Sequence, residues 1–157
     1  MPDATTATMT IPIISAALAG VIIVLQQVLM LATGTRRGKT GQGVGVAGDV
    51  QLERLARRHG NLAENSGIFI VALALLELLI GSGMTVQILA LVFLVARVSH
   101  ALGFSTLRGS HGKIDGENAP GSALFVAFRA GGATLTALSG IALGGFILVN
   151  VWGYLPF

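Results

Sequence analysis

Residues 57–65 read RRHGNLAEN, and residues 66–81 continue as SGIFIVALALLELLIG. The first stretch sets two arginines, a histidine, two amides and a carboxylate side by side. The second carries a single ionisable side chain, Glu77. A helix spanning both is too apolar in its second half for the surface of a soluble domain, and too polar in its first half for a bilayer interior. A helix that enters a membrane with its polar half at the aqueous boundary accommodates both.

The composition agrees. Of 157 residues, 53% are hydrophobic and only 11% charged, and the mean hydropathy is +0.79. A soluble domain carries roughly 25% charged residues. The net charge of +3 rests on ten lysines and arginines. These cluster beside apolar runs, a pattern of membrane topology rather than a nucleic-acid footprint, so no nucleic-acid partner is expected. There is no cysteine, which excludes disulfides, a thiolate nucleophile and Cys-based metal ligation. His59, His100 and His111 lack paired ligand spacing, and no metal site is expected. Any thiol chemistry must use a thiol brought by the ligand.

Working outward, three further apolar segments appear. Residues 11–32, IPIISAALAGVIIVLQQVLMLA, would form a helix about 33 Å long, enough to span a bilayer. No Lys or Arg precedes it and it exceeds a signal-peptide core, so a transmembrane helix is expected, with Pro12 in its first turn. The polar-to-apolar helix should occupy 51–80, with Asp49 as N-cap and Gly81 as stop. A third segment runs over 84–107 and a fourth over 121–151, followed by Trp152 and Tyr154 as interfacial aromatics. The expected fold is therefore an all-α membrane protein, a four-transmembrane-helix bundle forming a single domain over residues 1–157.

The connections differ in charge. Residues 33–50, TGTRRGKTGQGVGVAGDV, read as a basic, glycine-rich surface loop. The third connection, 108–122, is also polar and carries Arg108 and Lys113, whereas the second connection and both ends carry no Lys or Arg. The positive-inside rule puts loops one and three in the cytoplasm and both termini outside. Gly132, Thr136, Gly140 and Gly144 recur every four residues, a ridge that lets another helix approach closely.

Three segments bring polar groups to one membrane level. Arg57, Asn61 and Glu64 share a helical stripe, Arg97 and His100 are one turn apart, and Arg129 stands at the same depth on the fourth segment. Charges there must pair or line a wet cavity. Two arrangements are open: a pocket for a ligand with several carboxylates, or a network in which Arg57, Glu64 and Arg97 satisfy one another. His100 alone reads as a packing or hydrogen-bonding histidine. Glu77 points about 140° away from Glu64 on the helix and is expected near the outer face, with proton coupling as the less favoured role.

The combination of GDVQLERLARRHGNLAEN (48–65), ARVSHALGF (96–104) and FRAGGATLTALSGIAL (128–143) resembles the MAPEG family, membrane-associated proteins in eicosanoid and glutathione metabolism, in its small bacterial form. The resemblance implies a homotrimer in the bacterial inner membrane that binds glutathione, as cosubstrate, near the cytoplasmic face between subunits. It assigns Arg57, Asn61, Glu64, Arg97, His100 and, more weakly, Arg37 to glutathione binding. Arg129 is implied to stabilise the glutathione thiolate, which would attack a lipophilic electrophile arriving from membrane lipid. Asn65 and Phe104 depart from the family pattern, standing where many relatives carry tyrosine; Gly60 replaces an arginine of some eukaryotic members. Three functions follow as expectations: a glutathione transferase or peroxidase active in detoxification, a non-catalytic lipid-binding or partner-binding module, and a small exporter using Glu77.

Overall fold

The computed structural model describes residues 11–110, 113–114, 117–118 and 123–156. The first ten residues, His111 and the segment around Pro120 lie outside them. Four long helices make up the fold: α1 (Ile13–Thr40), α2 (Val50–Ile80), α3 (Met84–Gly103) and α5 (Ala123–Val151). A single turn, α4 (Leu107–Ser110), and a two-residue antiparallel pair, β1 (Lys113–Ile114) with β2 (Glu117–Asn118), lie between α3 and α5. All four long helices are apolar and long enough to cross a membrane, and the chain is an integral membrane protein. Trp152–Tyr154 add a 3-10 turn with both aromatic side chains exposed.

α1 packs mainly on α2, and α3 on α5. The shared core gathers Leu18, Ile22 and Leu29 of α1, Leu62, Phe69 and Leu73 of α2, Val86 and Phe93 of α3, and Leu143 of α5. The rings of Phe69 and Phe93 stack with centroids 3.7 Å apart. The outward faces are equally apolar: Ile23, Val24, Ile68, Leu91, Ile141 and Val149 are all exposed. Lipid solvates such side chains as well as a protein core does, so close packing and hydrogen bonds hold the helices together rather than hydrophobic burial.

One correction to the sequence reading concerns α1. It does not stop near residue 32 but continues through TGTRRGKT to Thr40 and ends at Gly41, whose φ of 67° is the left-handed cap that glycine takes without strain. Arg37 and Lys39 fall in the last turn, where cations complement the helix dipole. The surface loop shortens to residues 41–49. Arg36 and Asp49 close it with a bidentate pair, Nε to Oδ2 at 2.8 Å and Nη2 to Oδ1 at 3.0 Å. Asp49 also caps α2 by accepting from the backbone N–H groups of Gln51 and Leu52, as the sequence predicts. The Arg36 hydrogen bond holds the Asp49 carboxyl below its ordinary range.

Glu77, expected near the end of α2, has partners there that the sequence does not reveal. It is fully buried and joins two helix ends. Its carboxylate accepts from the N–H of Ile14 (2.9 Å) and Ser15 (2.8 Å) and from the hydroxyls of Ser15 and Ser82 (both 2.6 Å). Pro12, the residue at the N-cap of α1, offers no side-chain acceptor. Glu77 of α2 therefore does across helices what a capping side chain does locally, and its charge complements the positive end of the α1 dipole. An exporter would need a deep carboxylate free to exchange protons or ions. This one is occupied by four donors.

At the other end of the bundle, Arg54 Nη1 donates to the Phe104 carbonyl and Arg58 Nε to the Ala101 carbonyl, each at 2.7 Å. Both acceptors belong to the C-terminal end of α3, whose last carbonyls lack partners within the helix. These two cations fix α2 to α3 just below the polar layer.

Candidate functional site

The site is built on the crossing of α3 and α5. A Cβ on Gly132 would lie 2.6 Å from the His100 nitrogen and 2.7 Å from the Ala96 carbonyl oxygen. One on Gly103 would lie 2.6 Å from the Arg129 nitrogen. No side chain fits at either point, so the backbones touch and the register of α5 against α3 is fixed. Ser99 adds a hydrogen bond from Oγ to the Phe128 carbonyl at 2.9 Å. The glycine ridge thus divides in two. Gly132 packs within the subunit, while Gly140 and Gly144 have nothing within 4 Å.

That register brings Thr136, one turn beyond Gly132, opposite Arg97. Arg97 Nη1 donates to Thr136 Oγ1 at 3.0 Å and Nη2 to the Asn61 carbonyl at 3.1 Å. A chain of hydrogen bonds so links α5, α3 and α2 at one level. Beside it opens a cleft of about 510 Å³, lined by Asn61, Asn65, Arg97, His100 and Thr136, with α5 from Ala133 to Ile141 as its far wall. A smaller, more apolar cavity of about 280 Å³ shares Asn65, Thr136 and Gly140 and runs on to Phe69 and Phe93.

Electrostatics make this cleft receptive to anions. Arg97 is 2% exposed, yet among the described residues its hydrogen-bond partners are two neutral oxygens, and the ion pair formed is that of Arg36 with Asp49. Its Nε and the Nδ1 of His100 are buried without a partner. Buried polar atoms are nearly always satisfied in native proteins, by protein, water or ligand, and both residues belong to the lining of this cleft. The amide nitrogens of Asn61 and Asn65 bond back to the carbonyls of Arg57 and Asn61, leaving their side-chain oxygens as the acceptors a ligand would meet.

The residues expected from sequence divide accordingly. Asn61, Arg97 and His100 meet in the cleft. Arg57 and Glu64 are exposed and do not line it. The mutual network of Arg57, Glu64 and Arg97 does not form, because Arg97 turns to Thr136 and the Asn61 backbone. Arg37 lies elsewhere, its Nη1 donating to the carbonyls of Gln42, Gly43 and Gly45 at 2.9–3.1 Å, where it organises the first loop. Arg129 is half-buried, bonds the Ser110 carbonyl at 2.9 Å and lies over the Phe104 ring at 5.8 Å. Phe104 in turn tilts against His100 with centroids 5.0 Å apart. Arg129 and His100 therefore both contact Phe104, and Arg129 does not line the cleft.

Two lining residues were missed as site residues. Asn65 entered the sequence reading only as an absent tyrosine, and Thr136 only as part of the small-residue ridge. The four-residue spacing of Asn61 and Asn65, which puts two amides on one helical face, was the available signal for Asn65. For Thr136 the signal was a hydroxyl among glycines, which periodicity alone cannot pair with Arg97.

The model of the MAPEG family matches residues 15–144. No curated protein and no solved structure matches the chain.

Proposed function

Because the chain belongs to the MAPEG family, we propose that it is a glutathione-binding membrane protein that conjugates or reduces lipophilic electrophiles. The observation that carries this reading is the pair of orphaned donors or acceptors, Arg97 Nε and His100 Nδ1, beside a cleft that also offers Asn61 and Asn65. Glutathione brings two carboxylates for cations and several N–H groups for amide oxygens. Arg57 and Glu64, exposed on α2, are assigned to the ligand's ends that extend beyond the cleft. Loops one and three are assigned to the cytoplasm, and a homotrimer would enclose the open side of the cleft. Arg37, already bonded to three carbonyls, has the weakest claim to the ligand.

The chemistry proposed is thiolate attack. A free thiol has a pKa near about 8.5, and an adjacent guanidinium favours the anion. Arg129 is assigned that task from outside the cleft, with the thiol extending beyond the residues that line it. The thiol proton passes to solvent, the sulfur forms a bond to the electrophilic carbon, and the leaving group departs with its electron pair. An apolar electrophile would reach the sulfur from the membrane.

A second reading keeps the binding and removes the turnover. Phe104 and Asn65 supply no phenolic hydroxyl, and Nη1 of Arg129 is already engaged by Ser110. One experiment separates the two. Ultraviolet difference spectra of bound glutathione should reveal thiolate in the wild type and not in Arg129→Ala, with assembly unchanged. Equal thiolate absorbance in both proteins would remove Arg129 from the mechanism. Binding without any thiolate would favour the non-catalytic module.

A further inference from the structure

Among the described residues, Arg97 is the one arginine or lysine that lines the cleft, so an anionic group bound there depends on where its guanidinium is held. Two contacts hold it. One is the Asn61 carbonyl, a backbone atom inside α2 that no substitution removes. The other is the Thr136 hydroxyl.

The direction of the Thr136 hydrogen bonds is decisive. Its hydroxyl has one proton, and that proton goes to the Gly132 carbonyl at 2.8 Å. The oxygen therefore faces Arg97 as an acceptor only, the polarity a guanidinium requires. Gly132 is itself pressed against Ala96 and His100 with no room for a Cβ. The Thr136 side chain, tied to the Gly132 carbonyl, is consequently held in place relative to α3. With Nη1 and Nη2 both anchored, Nε of Arg97 is left without a partner among the described residues, as is Nδ1 of His100.

We infer that Thr136 is a positioning residue of the ligand site: it orients the Arg97 guanidinium so that the cleft receives a carboxylate. This rests on the glutathione reading above. It adds a residue on α5, and it assigns the recognition of ligand carboxylate, rather than thiol, to the Thr136–Arg97 pair.

The test uses the full-length protein in detergent. Glutathione affinity is measured by calorimetry for the wild type, Thr136→Val and Thr136→Ser, and repeated with glutathione diethyl ester, in which both carboxylates are masked. Valine preserves the shape of threonine and deletes the acceptor; serine restores it. Loss of an acceptor that holds a charged donor should leave Thr136→Val binding glutathione at least about tenfold more weakly. Thr136→Ser should stay within about twofold of wild type. The valine effect should vanish for the diester, an outcome that a merely structural role of Thr136 would not produce.

The failures are distinguishable. If wild type binds glutathione and Thr136→Val binds it equally well, Thr136 does not position the site, while the glutathione reading stands. An equal loss for glutathione and its diester would mean a packing role and would also overturn the inference. No binding by the wild type would sink the glutathione reading itself, and the inference with it. If Thr136→Val does not assemble, Thr136→Ala against Thr136→Ser makes the same comparison, with loss in alanine and retention in serine expected.

Discussion

Arg97 concentrates the conflict between folding and function in one side chain. It is buried at membrane level and among the described residues has only neutral partners, an arrangement that costs stability because its desolvation is not offset there by a counter-charge. A residue selected only for packing would be apolar. Arg97→Met keeps the length and removes the charge, so the unliganded protein should melt at the same or a higher temperature, with a gain of about 1 kcal/mol or more. The same variant should lose its response to glutathione. Thermal melts with and without the ligand read both effects, and a large drop in unliganded stability would mean that Arg97 serves mainly to hold the helices together. At this scale the sequence was partly legible. Residue type and depth singled out Arg97, His100 and Asn61, since each polar group stood against an apolar background. The partners of Arg97 were not legible, because Thr136 lies 39 residues away and its pairing depends on the register that Gly132 sets.

Helix ends carry much of what the elements contribute. Glu77 reaches from α2 to cap α1, and Arg54 and Arg58 reach from α2 to the end of α3. α2 is therefore tied to α1 near one membrane face and to α3 near the other. Glu77→Gln tests the first tie. Glutamine keeps the size but replaces one acceptor oxygen with a donor, which must then face a backbone N–H or a serine hydroxyl. The expected loss is about 2 kcal/mol, read by thermal melting, with glutathione affinity unchanged because Asn61 and Asn65 lie more than about three turns from Glu77 along α2. A loss of glutathione affinity without a loss of stability would return Glu77 to the list of functional residues. The four helices could be found by hydropathy, and the start and stop of α2 by Asp49 and Gly81. The end of α1 could not. Its last two turns have the glycine and threonine content of a loop, and they are helical because their arginines find partners, Arg36 in Asp49 and Arg37 in the loop carbonyls.

The described residues offer their surroundings an apolar exterior for lipid and a polar cleft walled by α2, α3 and α5. The cleft is open on one side, and its extension toward Phe69 and Phe93 becomes apolar, in keeping with a water-soluble ligand meeting a membrane-dissolved one. The central claim is that this cleft binds glutathione. It is tested most directly by the melting temperature of the detergent-purified protein during a glutathione titration, with ophthalmic acid, which lacks the thiol, run in parallel. A ligand that binds only the folded state stabilises it by about 2.7 kcal/mol at a hundredfold excess over Kd. The account predicts a saturable rise with both ligands, since both carry the carboxylates, and a larger one with glutathione. No rise at millimolar glutathione, in protein that remains assembled, would contradict it.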